Sequence, residues 1–104
     1  MNLSYRGRRV LVTGGLGLIG LNLVKALLDG GAVVEIVNRS LPPLALRWLD
    51  KIAKRQPVEV YQGDICDPEL MRQRLPKAEV VFDLAAQSGA SRSLAEARMD
   101  MQVN

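Results

Sequence analysis

The chain has 104 residues, which suits one compact domain, and its 48% hydrophobic and 24% charged residues are ordinary for a globular protein. It has no histidine, which excludes histidine-based acid–base catalysis and most zinc sites, and its single cysteine excludes an internal disulfide. The net charge of +3 comes from scattered basic residues and only 4% of residues are aromatic, so we expect no nucleic-acid partner. No apolar run approaches the ~18 residues of a membrane span. We expect a cytoplasmic protein with no bound metal and no membrane contact.

The first third of the chain predicts a strand, a helix and a second strand. Val10–Gly14 is a short apolar run typical of a buried strand. Leu18–Asp29 has helical periodicity and ends at two glycines. We expect its buried side to carry four residues: Ile19, Leu23, Ala26 and Leu27. Ala32–Asn38 is rich in β-branched residues and predicts the second strand.

Residues 40–61 predict the second helix and the third strand. Ser40 is a suitable cap for a helix that accommodates two prolines in its first turn and runs to about Arg55. The predicted buried side of this helix carries three large residues spaced four apart: Leu44, Trp48 and Ile52. Val58–Tyr61 predicts a short third strand.

The remaining residues continue the alternation of helix and strand. Asp67, followed by a proline and an acid, predicts the capped start of a third helix that ends near Pro76. Glu79–Leu84 predicts the fourth strand, and Ser91–Asn104 predicts a fourth helix. The strands are apolar runs separated by helices, which indicates an α/β protein whose parallel sheet is covered on both faces. Right-handed crossovers then predict a Rossmann-like, doubly wound sheet of about four strands in the order 3-2-1-4.

Four glycines lie within the eight residues TGGLGLIG, numbered 13 to 20, between the first strand and the first helix. The three spaced three apart are Gly14, Gly17 and Gly20, and their place between strand and helix is typical of a dinucleotide phosphate-binding loop. In such a loop Gly17 lets the backbone approach a pyrophosphate, and Gly20 lets the helix pack closely. The N–H groups that begin the helix then face the anion. A purely structural turn is the alternative that these residues leave open.

Further segments complete a resemblance to a known family. The opening VLVTGGLGLIGLNLVKALLDGG, the segment QGDICD after the third strand, VFDLAAQ at the fourth strand and the closing MQVN follow the family's order and spacing. On these motifs the chain resembles the extended short-chain dehydrogenase/reductases, which include the NAD-dependent sugar-nucleotide epimerases and dehydratases. The resemblance covers essentially all 104 residues. It implies that residues 1–104 are the N-terminal part of an NAD(P)-binding Rossmann domain, without strands five and six or the substrate subdomain.

The resemblance implies a dinucleotide site with NAD or NADP as the cofactor. The residues that would surround its pyrophosphate are Gly14, Gly17, Leu18, Ile19 and Gly20. Asp64 would accept a hydrogen bond from the adenine amino group, and Ile65 would lie against the ring. The residues that would line the cofactor beyond the fourth strand are Leu84, Ala85 and Ala86. Ordinary turn and loop roles are the alternatives for Asp64 and for these three residues.

Two positions depart from the family's pattern. The end of the second strand normally offers an acid to the adenosine ribose, and here Asn38 and Arg39 occupy that place. Asparagine can hydrogen-bond a hydroxyl without repelling a phosphate, and arginine attracts a 2′-phosphate, so NADP competes with NAD as the expected cofactor. A solvent-facing loop charge is the alternative for Arg39. Asp83 stands where the family commonly has histidine, which affects the geometry just before the last loop.

The family's catalytic Y-x-x-x-K motif is absent from the chain. Tyr5 is followed four residues later by Arg9, and Tyr61 by Ile65. We therefore expect no catalytic residue here, and no turnover of a nucleotide sugar unless the missing C-terminal part is supplied. A nucleotide-binding or regulatory module without enzymatic activity is the alternative function. The fourth strand lacks its usual neighbour, which also predicts self-association through its edge.

Overall fold

The computed structural model describes residues 4–85, which form one parallel sheet flanked by helices. The strands are β1 (Arg9–Thr13), β2 (Val33–Asn38), β3 (Val58–Gln62) and β4 (Val80–Asp83). The helices are α1 (Leu18–Asp29), α2 (Pro43–Ala53) and α3 (Pro68–Arg74), and a 3₁₀ turn over Leu75–Lys77 follows α3. The strand order is β3-β2-β1-β4, which confirms the predicted fold class and topology. The helix predicted over residues 91–104 lies outside the described residues.

The sheet is buried on both faces because successive residues of a strand point to opposite sides. The face that packs with α1 and α2 carries Val10, Val12, Val34 and Ile36. The face that packs with α3 and its 3₁₀ turn carries Leu11 and Val37, together with Met71 and Leu75 from the helix and the turn. This double burial explains why the central strands β1 and β2 are mostly apolar. Within residues 4–85, no helix has the length and the apolar character that crossing a membrane requires.

Helix α1 has the predicted bounds, but its buried side is rotated from the predicted stripe. The residues it buries are Gly20, Val24, Leu27 and Leu28. Of the predicted stripe, Leu27 is buried, Leu23 and Ala26 are half-buried, and Ile19 is 74% exposed. Gly20 packs against the backbone of the loop that precedes the helix, so the positions four, seven and eight residues later face the sheet. Ile19 lies about 100° around the helix from Gly20 and faces away, so its predicted burial is wrong.

Helix α2 corrects two further predictions. Its cap residue is Pro42, with no side-chain cap bond, so the predicted Ser40 cap is wrong, and the helix ends at Ala53 rather than near Arg55. The residues it buries are Ala45, Leu49 and Ala53. The predicted buried residues lie one position away: Leu44 is 65% exposed, Trp48 is 52% exposed, and Ile52 is half-buried. Ala45 and Ala53 flank Leu49 on the inner side and let α2 lie close to its neighbours, whereas the side chains of Leu44 and Trp48 lie on the outer side.

Helix α3 begins as the sequence predicts. The Asp67 carboxylate accepts hydrogen bonds from the backbone N–H groups of Glu69, at 3.0 Å, and Leu70, at 3.4 Å. Pro68 occupies the first helical position, where its missing N–H group costs nothing. The acid of Glu69 in the first turn and the two arginines in the last turn also suit the helix dipole. The predicted cap at Asp67 is therefore confirmed.

The corrected packing of α2 predicts a contrast between two neighbouring substitutions. Leu49→Ala should lower the free energy of unfolding by about 2–5 kcal/mol, because it opens a cavity in the core beside α1. Trp48→Ala should lower it far less, because the ring is 52% exposed and does not belong to the core cluster that Leu49 joins. Urea unfolding of both variants checks this. If Trp48→Ala lowered the free energy of unfolding as much as Leu49→Ala does, the buried side of α2 would be the one that the sequence predicts.

Candidate functional site

A cavity of about 560 Å³ opens at the carboxyl edge of the sheet, where the loops that follow all four strands meet. Its lining residues are Gly14, Leu16, Gly17, Val37, Asn38, Arg39, Ser40, Pro42, Gly63, Asp64, Ile65, Leu84 and Ala85. The volume is in the range of small-molecule sites. Ligands of open α/β sheets bind outside the carboxyl ends of the strands, where the strand order reverses. In this sheet the reversal falls at β1, between β2 and β4.

The loop between β1 and α1 forms one wall, and Gly14 fixes its path. Gly14 has a φ of +72°, a conformation that other residues rarely adopt. A Cβ at this position would lie 2.9 Å from the backbone nitrogen of Ala85, so a side chain would also push away the loop after β4. The Gly14 N–H group donates to the carbonyl oxygen of Val37 at 2.8 Å, which ties the loop to β2. Gly14 therefore lets the loop after β1 lie against both β2 and the loop after β4.

Gly20 and Gly17 serve opposite purposes. A Cβ on Gly20 would lie 2.7 Å from both the carbonyl carbon and the Cα of Gly15, so the helix reaches the loop only because Gly20 has no side chain. A Cβ on Gly17 would meet nothing closer than the carbonyl oxygen of Gly14, at 3.7 Å, and would project into open space. Gly17 lines the cavity and is the cap residue of α1. The missing side chain at position 17 therefore leaves room beside the first N–H groups of the helix, which attract anions.

The opposite wall carries an ion pair. The Arg39 guanidinium donates to the Asp64 carboxylate, with Nη2 and Oδ2 3.0 Å apart, and both side chains are solvent-accessible. The backbone N–H group of Cys66 donates to the other oxygen of Asp64 at 2.8 Å. These two contacts, the Cys66 bond first, hold the pKa of the Asp64 carboxyl below its usual value. Asp64 is therefore ionised at neutral pH and acts only as a hydrogen-bond acceptor.

Asn38, at the end of β2, bonds to three of the loops. Its side-chain oxygen accepts a long hydrogen bond from the N–H group of Leu16, at 3.4 Å. Its side-chain nitrogen donates to the carbonyl oxygen of Ser40, at 2.7 Å. Its own carbonyl oxygen accepts from the N–H group of Gly63, at 3.0 Å. The sequence predicts that Asn38 lies beside a ribose. In the structure its side chain forms hydrogen bonds with the protein backbone.

The loop after β4 completes the cavity, and Asp83 holds it in place. The buried hydroxyl of Thr13 donates to the Asp83 carboxylate at 2.6 Å, and the N–H group of Leu84 donates to the carbonyl oxygen of Thr13 at 2.9 Å. These bonds join the ends of β1 and β4. Leu84 and Ala85 consequently lie beside the glycine loop. Where the family commonly has histidine, the aspartate of this chain links the two strands.

Eight of the twelve predicted site residues line the cavity together: Gly14, Gly17, Asn38, Arg39, Asp64, Ile65, Leu84 and Ala85. Gly20 packs behind the loop. The side chains of Leu18 and Ile19 are 82% and 74% exposed and do not line the cavity, which leaves only their backbone at its edge. Ala86 lies outside the described residues. Lining residues that the sequence analysis missed are Leu16, Val37, Ser40, Pro42 and Gly63, all of which lie within four residues of a predicted site residue.

The described residues hold no cluster of carboxylates and thiols suited to a metal ion. The two walls of the cavity differ in their chemistry. One wall presents backbone N–H groups and space for an anion. The other presents an ionised acceptor, an exposed guanidinium and the apolar side chain of Ile65, which is 5% exposed. Such a pair of walls suits a ligand with a phosphate at one end and a flat polar ring at the other.

Comparison with known proteins identifies the family of this chain. The sequence profile of GDP-mannose 4,6-dehydratase matches residues 11–104. The chain belongs to this dehydratase family. The predicted resemblance to NAD-dependent epimerases and dehydratases is thereby confirmed.

Individual relatives agree with this assignment. A 3β-hydroxysteroid dehydrogenase/Δ5→4-isomerase of Mycobacterium tuberculosis is 38% identical over 78 residues, which cover 75% of this chain and 19% of that protein. A dTDP-glucose 4,6-dehydratase of Streptomyces niveus is 29% identical over 102 residues, covering 92% of this chain and 30% of the relative. The UDP-glucose 4-epimerase of Bifidobacterium longum, solved with NAD+ and UDP, superposes with a TM-score of 0.75 at 25% identity, covering 91% of this chain and 34% of that one. The chain thus spans less than a third of the length of the steroid dehydrogenase and of the dTDP-glucose dehydratase.

Proposed function

We propose that this member of the dehydratase family binds the adenosine diphosphate half of NAD or NADP. The observation that carries the proposal is the open face of Gly17, where even a Cβ would enter the cavity beside the start of α1. The NAD+ named in the Bifidobacterium longum epimerase structure supports the choice of ligand. In the whole protein this site would serve an oxidoreductase of the epimerase or dehydratase type that acts on a nucleotide sugar.

Each wall of the cavity would hold one part of the ligand. The backbone at Gly14 and Gly17 and the N-terminus of α1 would face the pyrophosphate, because N–H groups and the helix dipole both favour an anion there. The ionised Asp64 would accept a hydrogen bond from the adenine amino group, with Ile65 against the ring. Leu84 and Ala85 would border the ligand beyond β4. The bound dinucleotide would supply hydride acceptance and donation.

Neither tyrosine of this chain is proposed as the acid–base group. Tyr61 donates a hydrogen bond to the Glu59 carboxylate, which raises the pKa of its phenol, and the Arg74 guanidinium lies 4.3 Å from its ring centroid. A catalytic tyrosine needs a lowered pKa, so the Glu59 contact acts in the wrong direction. Tyr5 packs edge-on against Phe82, with ring centroids 5.9 Å apart. We propose that the 104-residue chain by itself binds a dinucleotide without turning over a nucleotide sugar.

The binding site predicts a specific loss on filling position 17. Gly17→Val should abolish ADP-ribose binding, because its side chain would occupy the space proposed for the pyrophosphate. The fold should survive, since Gly17 has a φ of −77° that valine adopts and no atom lies within 3.4 Å of the added Cβ. Isothermal titration calorimetry measures binding, and thermal unfolding checks the fold. Gln73→Val, at an exposed position of α3, is the control and should bind like the wild type. Equal binding by wild type and Gly17→Val would refute the proposal.

Cofactor preference is predicted to depend on Arg39. A hydrogen bond from a charged group is worth about 1.5–3 kcal/mol, so Arg39→Ala should lower the affinity for 2′-phospho-ADP-ribose relative to ADP-ribose by about tenfold or more. Arg47→Ala is the matched control, because this exposed arginine of α2 carries the same charge and lies outside the cavity. Calorimetric titration with the two ligands gives the ratio. An unchanged ratio of the two affinities in Arg39→Ala would show that Arg39 is only a solvated loop charge.

We also propose that the 104-residue chain self-associates through β4. Among residues 4–85, β4 pairs with β1 only, and its four residues, three of them apolar, are half-buried. An open apolar edge invites pairing with another strand. Light scattering over a range of concentrations should show a mass that rises above that of a monomer. A monomer that persists at the highest concentration would contradict the proposal.

The single cysteine of the sequence supports the further proposal of a cytoplasmic location.

A further inference from the structure

The bonds of Asn38 raise a question about its role in ligand choice. The position is one where an acid is expected to bind a ribose directly. In this chain, both heteroatoms of the Asn38 side chain are engaged by backbone groups of Leu16 and Ser40. Its side chain therefore connects the loop that would hold the pyrophosphate to the loop that carries Arg39.

The Ser40 bond requires an amide rather than an acid. The side-chain nitrogen of Asn38 donates to the Ser40 carbonyl oxygen at 2.7 Å. An ionised aspartate has no donor, so its second oxygen would face that carbonyl oxygen as one acceptor against another. Its first oxygen would still accept from the N–H group of Leu16. The acid that the family pattern leads one to expect would thus preserve one half of the connection and break the other.

Different bonds hold the backbone and the guanidinium of Arg39. The Asn38-to-Ser40 bond spans Arg39 in the chain and restricts its backbone. The carbonyl oxygen of Asn38 accepts from Gly63, and the next residue, Asp64, accepts from the Arg39 guanidinium at 3.0 Å. Arg39 itself is an exposed, flexible side chain, so a fixed backbone and an anchored guanidinium reduce the freedom it would lose on meeting a ligand.

We propose that Asn38 is a positioning residue, which governs the preference between 2′-phosphorylated and plain adenosine ligands only through Arg39. Each heteroatom of its amide already has a backbone partner, and we propose no bond from Asn38 to the ribose. The inference rests on the proposed dinucleotide site. It replaces the direct role that sequence reasoning gave Asn38 with an indirect one, in which an amide connects two loops and the neighbouring guanidinium meets the ligand.

A double-mutant cycle tests the inference. The measured quantity is the ratio of affinities for 2′-phospho-ADP-ribose and ADP-ribose, in the wild type, Asn38→Asp, Arg39→Ala and the double variant. We expect Arg39→Ala to lower the ratio about tenfold, and Asn38→Asp to lower it by about threefold or more because Arg39 is no longer held. In the Arg39→Ala background, Asn38→Asp should lower the ratio less than it does beside Arg39, because only the repulsion between the new carboxylate and the 2′-phosphate remains. Thermal unfolding of each variant confirms that it is folded.

The effect of the added charge is separated by a second variant. Asn38→Ala removes both side-chain bonds without adding a charge, and it should lower the ratio in the presence of Arg39 and leave it unchanged in its absence. If Asn38→Ala is unfolded, the test is whether Asn38→Asp lowers the ratio more beside Arg39 than without it; if Asn38→Asp is unfolded, Asn38→Ala carries the test. An equal effect with and without Arg39 would overturn the inference, as would a loss of both affinities at constant ratio. A wild type that binds neither ligand would instead refute the proposed function, and the inference with it.

Discussion

The structure depends on the backbone contact between the first turn of α1 and the loop that precedes it. Because Gly20 lies against Gly14 and Gly15 with no side chain between them, the helix starts immediately beside the end of β1. That contact decides which side of α1 faces the sheet, and it directs the unpaired N–H groups of the first turn toward the carboxyl edge. It also leaves Gly17 on the outer side of the turn. The open space beside Gly17 and the packing of α1 therefore have one cause.

At the carboxyl edge the loops are held by side-chain bonds, since the ladder of the sheet ends there. The Thr13–Asp83 bond joins β1 and β4, and the Arg39–Asp64 pair joins the loops after β2 and β3. Asn38 links its own loop to two others. Exposed ion pairs contribute little to stability, so the value of Arg39–Asp64 lies in where it places two charges. A binding site on loops needs such support, because loops by themselves are the mobile part of a fold.

The sequence predicts the strands, the ends of α1 and the start of α3 because these follow from local patterns: apolar runs, glycines and the cap at Asp67. The order of the strands then follows from right-handed crossovers. The sequence does not predict the buried side of α2. The sets that contain Trp48 and Leu49 have the same helical spacing, and only contact with the sheet and α1 decides between them. It also does not predict the bonds of Asn38, whose partners are backbone atoms far apart in the chain. A sequence motif predicts where the cavity lies, but tertiary packing determines which atoms each side chain contacts there.

The contact between the loops after β1 and β4 has a consequence for the order in which the site forms. The Thr13–Asp83 bond joins residues 70 positions apart and closes a long loop, and the wall formed by Leu84 and Ala85 is synthesised after the other walls of the cavity. On the ribosome, the phosphate side of the cavity exists before its opposite border does. A ligand that contacts both borders stabilises the docked β4 over the undocked strand by mass action. A ligand of this kind, present during synthesis, would shorten the time for which the edge of β1 stays uncovered in a newly made chain.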